Sequence, residues 1–247
     1  MGLKGGSGDW CLPILMYHHV GAEWRNRPQH FLNVTAGTFA RQMRFLARAG
    51  YRAVSFAEAA RALAARDRPG RRLICITFDD GYASVARNAA PVLEALNWPA
   101  TVFVPTAWAG RRNEWDEAEG RPVQPIMGWD ALAELAARGW EIGAHTRTHP
   151  HLELLAEDTA WEEISGCRRD MQERLGIAPC TFCYPFGTYN ASVKELVRRA
   201  GYTAACTTRS GLAYRGADPM EYPRVKVAYR DGLPGMLYRL WIRPRLG

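Results

Sequence analysis

Asp79 and Asp80 stand side by side at the end of the apolar run ICITF, directly before Gly81. Neighbouring side chains of an extended backbone point to opposite sides, so two such acids are poorly placed to grip one cation together. They suit a division of labour in which one carboxylate binds a cation and the other takes a proton from water. The competing reading is a cap for the amphipathic stretch at 84–96. A second group shifts the balance. His145 and His149, in HTRTH, lie four apart after another strand-like run, and a one-turn loop would bring both imidazoles toward one point. With a carboxylate from Asp80 they make a two-histidine, one-carboxylate set that leaves positions open for water and substrate. Thr146 occupies the glutamate position of the zinc-protease motif and Pro150 discourages a continuing helix, so the pattern is not that motif. His151 has no partner at ligand spacing.

These residues need elements to hold them. Strand-like runs at 13–20, 73–79, 100–105, 140–145, 181–186, 202–207 and 222–228 alternate with amphipathic helical patterns at 38–49, 57–66, 84–96, 130–138, 158–175 and 191–200. Gly50, Gly139, Gly176 and Gly201 fall where helix C-caps belong. Repeated βα units imply a parallel sheet, and the length fits a closed barrel or a doubly wound sheet equally well. Either arrangement gathers function at the C-terminal ends of strands. Five runs end in residues able to do chemistry: Tyr17-His18-His19, Asp79-Asp80, Thr106, His145 and Tyr184-Pro185-Phe186-Gly187. The aperiodic, charged stretch 111–124 reads as an excursion over the barrel mouth, either a substrate rim or a surface loop.

Composition narrows the classes. A chain of 247 residues, 47% apolar and with nine tryptophans, can bury a sizeable core. The net charge of +7 comes from scattered arginines without a dense Lys/Arg block, which argues against nucleic acid as a partner. The six cysteines read as reduced, and Cys180 and Cys183 lack the second pair that a four-thiolate zinc site needs. No secretory signal and no membrane-spanning apolar stretch is visible, so the expected compartment is the cytoplasm, or the periplasm or exterior if the N-terminus was trimmed. Residues 1–12 are expected to form a flexible leader and 13–247 a single domain. The apolar and basic tail at 236–246 either finishes the fold as a last helix or makes a peripheral contact with an anionic membrane. Oligomeric state is left open.

Thr77-Phe78-Asp79-Asp80-Gly81, His145-Thr146-Arg147-Thr148-His149 and Phe182-Cys183-Tyr184-Pro185-Phe186-Gly187, in this order, resemble the first three motifs of polysaccharide deacetylases of the NodB-homology type, carbohydrate esterase family four. The likeness runs from residue 13 to about 227. It implies a distorted, seven-stranded (β/α) barrel and metal-dependent removal of acetyl groups from N-acetylated amino sugars, in a polysaccharide or a sugar-linked precursor. Carried over by position, it makes Asp79 the catalytic base and Asp80, His145 and His149 the ligands of a divalent metal. Zinc comes first for such a set, while cobalt, nickel, iron or manganese would also be accepted. It assigns oxyanion and substrate contacts to Tyr184, Pro185 and Phe186. A catalytically inactive carbohydrate-binding relative and an amidase for small non-sugar amides are the other readings.

Two departures from the family pattern matter. No histidine follows His151, so the usual late acid histidine is missing. The run Tyr17-His18-His19-Val20 is similar to the permuted motif order of the poly-β-1,6-N-acetylglucosamine deacetylase branch, which implies His18 as proton donor. Alternation along a strand would turn His19 away, although the two roles could be reversed. Cys183 stands where many members carry an arginine that orients the base. Arg224, in Tyr222-Pro223-Arg224-Val225, resembles the late arginine of the same branch; it would hold Asp79 from the other side or lie on the surface of an edge strand. Trp108 and Trp115 flank the excursion and are the expected substrate rim, with Trp129, Tyr184, Phe186 and Tyr189 as further flat surfaces for sugar rings.

Overall fold

The computed structural model describes residues 10–21, 32–65, 69–120, 122–228 and 231–242. The first half of the chain runs β1 (Cys11–Leu12), β2 (Ile14–Tyr17), β3 (His19–Gly21), β4 (Asn33–Thr35), α1 (Ala36–Arg48), β5 (Tyr51–Val54), α2 (Phe56–Ala64), β6 (Arg72–Phe78), a π turn (Val85–Ala89) leading into α3 (Ala90–Glu94), and β7 (Thr101–Val104). Then follow α4 (Trp129–Ala137), β8 (Glu141–Ala144), α5 (Glu157–Leu175), β9 (Thr181–Cys183), α6 (Ala191–Arg199), β10 (Ala204–Ser210), β11 (Ala213–Tyr214), β12 (Tyr222–Lys226) and α7 (Leu233–Leu237).

Parallel strands β2, β12, β10, β9, β8, β7 and β6 neighbour one another in that order, and β2 pairs with β6 to close the ring. The sheet is therefore a seven-stranded barrel rather than a doubly wound one. β5 adds an unexpected eighth segment. Cys75 pairs with both Ile14 and Val54, whereas Thr77 pairs with both Met16 and Thr101, so β5 and β7 lie end to end along one edge of β6.

Period-two alternation divides the core into two layers. Leu15, Tyr17, Ile74, Ile76, Phe78, Val102, Val104, Ile142, Phe182 and Val225 belong to the cluster that also holds buried helix residues such as Phe39, Leu135, Ile164 and Leu196. The opposite faces put Ile14, Cys75, Phe103, Cys183, Cys206 and Tyr222 in a second cluster, with Phe56, Ala59 and Leu63 of α2. Phe56, fully buried, meets Phe103 and Tyr222 edge to face and so plugs the N-terminal end of the barrel. Burial of one such side chain contributes roughly 1.5–3 kcal/mol. Gly143 is what makes room for this filling, because a Cβ there would lie 2.5 Å from the Phe103 ring. The same inward register, continued toward the strand C-termini, carries Thr77 to Asp79, Met16 to His18 and Arg224 to Lys226.

Several boundaries differ from expectation. Residues 10–12 do not belong to a leader: Trp10 is buried, and Cys11 and Leu12 pair antiparallel with Tyr214 and Ala213. Residues 1–9 of the expected leader lie outside the described residues. α1 starts earlier than Thr38, because the Thr35 side chain caps it by accepting the Thr38 N–H at 3.2 Å. In the tail, Met236 and Leu240 are buried, and Trp241 packs on Phe45 and donates to the Tyr51 hydroxyl, which makes this segment the closing layer over α1 and β5. Residues 243–246 of the tail lie outside the described residues, and no helix among the described residues is long and apolar enough to cross a membrane.

Candidate active site at the barrel mouth

β6 ends at Phe78, and the two acids that follow separate for a reason that alternation did not supply. Asp80 takes a left-handed backbone, φ 66°, so the chain turns between the two side chains instead of continuing as a strand. Gly81 follows with φ 67°, where a Cβ would press on Val104 at 3.2 Å. Neither acid caps the next helix: Ser84 occupies the N-cap, and its hydroxyl accepts the Val20 N–H.

Asp79 faces Arg224. The guanidinium reaches both carboxylate oxygens at 2.7 Å in a bidentate pair, and its remaining donors go to the Thr207 carbonyl and the Thr77 hydroxyl. Arg224 is fully buried, on a strand flanked by β2 and β10, so the surface reading of this residue is wrong. Cys183 explains the exchange of arginines. Its sulfur lies 3.3 Å from the guanidinium, so a small side chain on β9 leaves space that the arginine from β12 occupies. Burial pushes the Asp79 carboxyl up, but the charge and hydrogen bonds of Arg224 outweigh this and hold it below its usual value.

Asp80 faces the histidines. Its Oδ1 lies 3.3 Å from Nε2 of His145 and 3.3 Å from Nε2 of His149, and the three candidate ligand atoms lie within 4.8 Å of one another. These separations are long for hydrogen bonds. They bring one carboxylate oxygen and two imidazole nitrogens, donor types that a divalent cation takes, to one place. His145 Nδ1 lies 2.7 Å from the Cys183 carbonyl, which can only accept. That contact puts a proton on Nδ1, so the neutral ring would offer its Nε2 lone pair on the Asp80 side, as a metal ligand requires. His149 lacks such a partner on its buried Nδ1. The Trp115 ring stacks on it instead, at 4.7 Å and 26°. The donor set therefore fits a divalent cation of borderline softness.

The loop between the two histidines is anchored from outside the barrel. Glu163 Oε2 on α5 accepts the N–H groups of Arg147 and Thr148, both at 2.8 Å. Asp170, two turns on, accepts from Thr106 at 2.6 Å and from Arg147 at 3.0 Å. Gly166 lies between these acids, where a Cβ would fall 2.6 Å from Arg147 Cδ. Thr146 and His149 both have left-handed φ, so among the described residues four of the five non-glycine positions in that region are Asp80, Thr146, His149 and Phe186, all at this mouth. Removing Glu163 should release this strained loop. Glu163→Ala is expected to lower zinc affinity about tenfold or more, read by metal titration of the folded variant; unchanged affinity would mean that the loop holds itself.

His18 and His19 point apart. His18 lines the mouth, with Nε2 3.9 Å from Asp79 Oδ2, and burial holds its imidazole below its usual pKa against the pull of Asp79 and Asp80. His19 is buried against Tyr82, 2.7 Å from Asn33 Oδ1. Of the third motif, Tyr184 donates its backbone N–H to Cys206 and its hydroxyl to the Met220 carbonyl, and Pro185 has no N–H. That leaves Phe186 as the backbone donor of this segment. The Phe186 ring meets His149 edge to face at 4.7 Å.

Together these side chains line a hollow of about 230 Å³ with Met16, Trp115, Asp116, Thr208 and Lys226. The excursion is thus a built wall. Asn113 donates to Asp116 at 2.7 Å and to the Tyr82 hydroxyl at 3.2 Å, which fixes the turn that presents Trp115 and Asp116. Trp108 does not reach the hollow. It packs edge-on behind Trp115 and donates to the Thr148 carbonyl, so it buttresses the rim without forming it. Tyr189 stacks on Tyr184 outside the hollow, and Trp129 packs against the core at the start of α4. Sequence reasoning missed Asp116, which nothing in an aperiodic loop singles out. It also missed Lys226, which the spacing of two from Arg224 along a strand would have found.

Comparison with known proteins adds to this geometry. A family model described as polysaccharide deacetylase matches residues 66–205. YxkH of Bacillus subtilis is 27% identical over 94% of this chain and 76% of its own length. The poly-beta-1,6-N-acetyl-D-glucosamine N-deacetylase of Escherichia coli is 25% identical over 87% of this chain, which spans 37% of that longer protein. Among solved structures, IcaB from Ammonifex degensii superposes with a TM-score of 0.80 at 29% identity, covering 94% of this chain and 96% of that one.

Proposed function

The chain belongs to the polysaccharide deacetylase family, and on that premise we propose that it is a metal-dependent hydrolase that removes N-acetyl groups from the amino-sugar units of a polysaccharide or sugar-linked precursor. The observation that carries this reading is the separation of the two acids, Asp79 on a buried arginine and Asp80 on two imidazoles, around one hollow. The E. coli relative's name supports an N-acetylated glucosamine polymer as the substrate class.

Asp80, His145 and His149 would hold the cation, which when bound supplies Lewis-acid polarisation of the acetyl carbonyl and of water. Every other step falls to the chain itself. Asp79, kept anionic by Arg224, takes a proton from the attacking water. The Phe186 N–H is the backbone donor available to the oxygen that gains charge as the carbonyl becomes tetrahedral. The departing nitrogen needs a proton, since an amine anion leaves poorly. His18, held neutral at rest by burial and 3.9 Å from Asp79, is placed to receive the abstracted proton and pass it to that nitrogen. The carbon–nitrogen bond breaks, and acetate and a free amine result. Trp115 offers a flat wall beside His149 against which the sugar ring can rest.

Acetate release from a panel of N-acetylated amino sugars, with and without prior chelation, tests the reading. Release that chelation abolishes and zinc restores is expected. Sugar binding without acetate would favour an inactive carbohydrate-binding relative, and acetate from simple amides alone would favour a small-molecule amidase.

A further inference from the structure

The third motif leaves the sheet at the point where its backbone donor is needed. β9 pairs in parallel with β10 through Cys183 and Cys206, and the Tyr184 N–H ends that ladder on the Cys206 carbonyl at 3.2 Å. The bonds of a parallel ladder are evenly spaced and recur every two residues, so a strand that continued would hand the Phe186 N–H to the Thr208 carbonyl. The donor would then be spent inside the sheet. The chain turns instead: Pro185–Gly187 make a single 3₁₀ turn, with φ 59° at Phe186 and 77° at Gly187.

Thr208 holds that turn. Its hydroxyl donates to the Phe186 carbonyl at 3.0 Å. The inward register of β10 carries Cys206 to Thr208, so this side chain lines the catalytic hollow beside Phe186. Packing on this side is close, since a Cβ at Gly187 would fall 2.7 Å from the Thr208 Cβ and closer still to its hydroxyl and amide nitrogen. A left-handed backbone is unfavourable for a bulky aromatic residue, and it persists only where the surroundings hold it. The ring contacts act on a different part of the residue. His151 lies flat on the Phe186 ring, 3.8 Å between centroids and 6° from parallel, and His149 meets it edge to face. Both fix the side chain and leave the two peptide planes to hinge at the Cα. The hydroxyl of Thr208 is the contact that fixes a plane.

We propose that Thr208 is a positioning residue for amide hydrolysis: by clasping the Phe186 carbonyl, its hydroxyl keeps the Phe186 N–H aimed at the oxygen that gains charge in the tetrahedral state. The inference rests on the deacetylase reading above and adds to it a residue outside the three motifs, which acts on the reaction through Phe186.

Thr208→Val and Thr208→Ser test it, assayed by acetate release from an N-acetylglucosamine oligomer. Valine keeps the shape and removes the donor, whereas serine keeps the donor. Loss of a whole oxyanion donor lowers kcat by about 10²–10³-fold. Loss of its aim alone is expected to lower kcat of Thr208→Val by about tenfold or more, with KM and zinc content as in the unaltered protein, and Thr208→Ser should recover most of that loss. Amide exchange reads the turn without turnover. The Gly187 N–H, bonded to the Tyr184 carbonyl at 2.9 Å, should exchange about tenfold faster in Thr208→Val and near its original rate in Thr208→Ser. A valine variant with unchanged kcat would overturn the proposal, as would a loss that the serine variant shares in full or that tracks zinc content. If the unaltered protein releases no acetate, the deacetylase reading fails by itself. Gly187 exchange then still decides the clasp, upheld by faster exchange in Thr208→Val and rejected by an equal rate.

Discussion

Asp79→Asn should abolish turnover and leave the metal in place, whereas Asp80→Asn should lose both. The two side chains are adjacent in sequence and both nearly fully buried, yet each has its own partners: Arg224 for Asp79, the two imidazoles for Asp80. An amide at position 79 keeps the shape and can still accept from the guanidinium, but it cannot take a proton from water. Removal of a general base lowers kcat by about 10²–10⁴-fold. At position 80 the amide is a poor ligand, and two histidines alone do not complete the set. Acetate release and bound metal after dialysis, measured on the same preparations, check both statements. Equal loss of metal from the two variants would overturn the division of labour. Asp79→Asn also leaves the buried Arg224 without its counter-charge, so circular dichroism at the assay temperature must show a folded chain before the rate is read.

Much of the frame was legible because its causes are local. The seven barrel strands are short apolar runs bounded by polar residues, and the helices carry a period of 3.6, so both signals survive in the sequence alone. The closing pair β2–β6 is not local, which is why a doubly wound sheet fitted the same pattern until the Leu15 and Ile76 register closed the ring. β5 was missed because Tyr51-Arg52-Ala53-Val54 neither alternates cleanly nor runs apolar; its existence depends on the half of β6 that β7 leaves unpaired. The candidate site shows the same contrast. Residue types and spacing pointed to Asp79, Asp80, His145 and His149. The left-handed backbones of Asp80, Thr146, His149 and Phe186, which aim them, have no sequence signature: threonine and phenylalanine ordinarily avoid that region, and aspartate and histidine enter it too seldom to predict. Cys183 read alone looked like a lost tether. Only the neighbouring strands reveal that its small volume admits Arg224.

That arginine carries the second large effect. Arg224→Met is expected to destroy activity and to destabilise the fold by about 3–5 kcal/mol at neutral pH, because it strands a buried carboxylate and also frees the Thr207 carbonyl and the Thr77 hydroxyl. The sign of its pH dependence follows from Asp79. In the unaltered protein that carboxyl lies below its ordinary value, so the pair contributes stability above the unfolded pKa of about 3.9, and the contribution fades as pH falls through the lower folded value. Without Arg224 burial is opposed only by the charges of His18 and His145, so the carboxyl rises from its held-down value, and the penalty applies at neutral pH but shrinks as acid protonates Asp79. Urea unfolding of both proteins at pH 7 and near pH 4 should therefore show a gap that narrows toward acid. Arg224→Lys separates charge from geometry: a single ammonium restores part of the stability but cannot grip both carboxylate oxygens, so the fold should recover further than the rate. A lysine variant with full activity would mean that Asp79 needs a nearby positive charge and no particular aim, and the two-point grip on the base would then have no catalytic role.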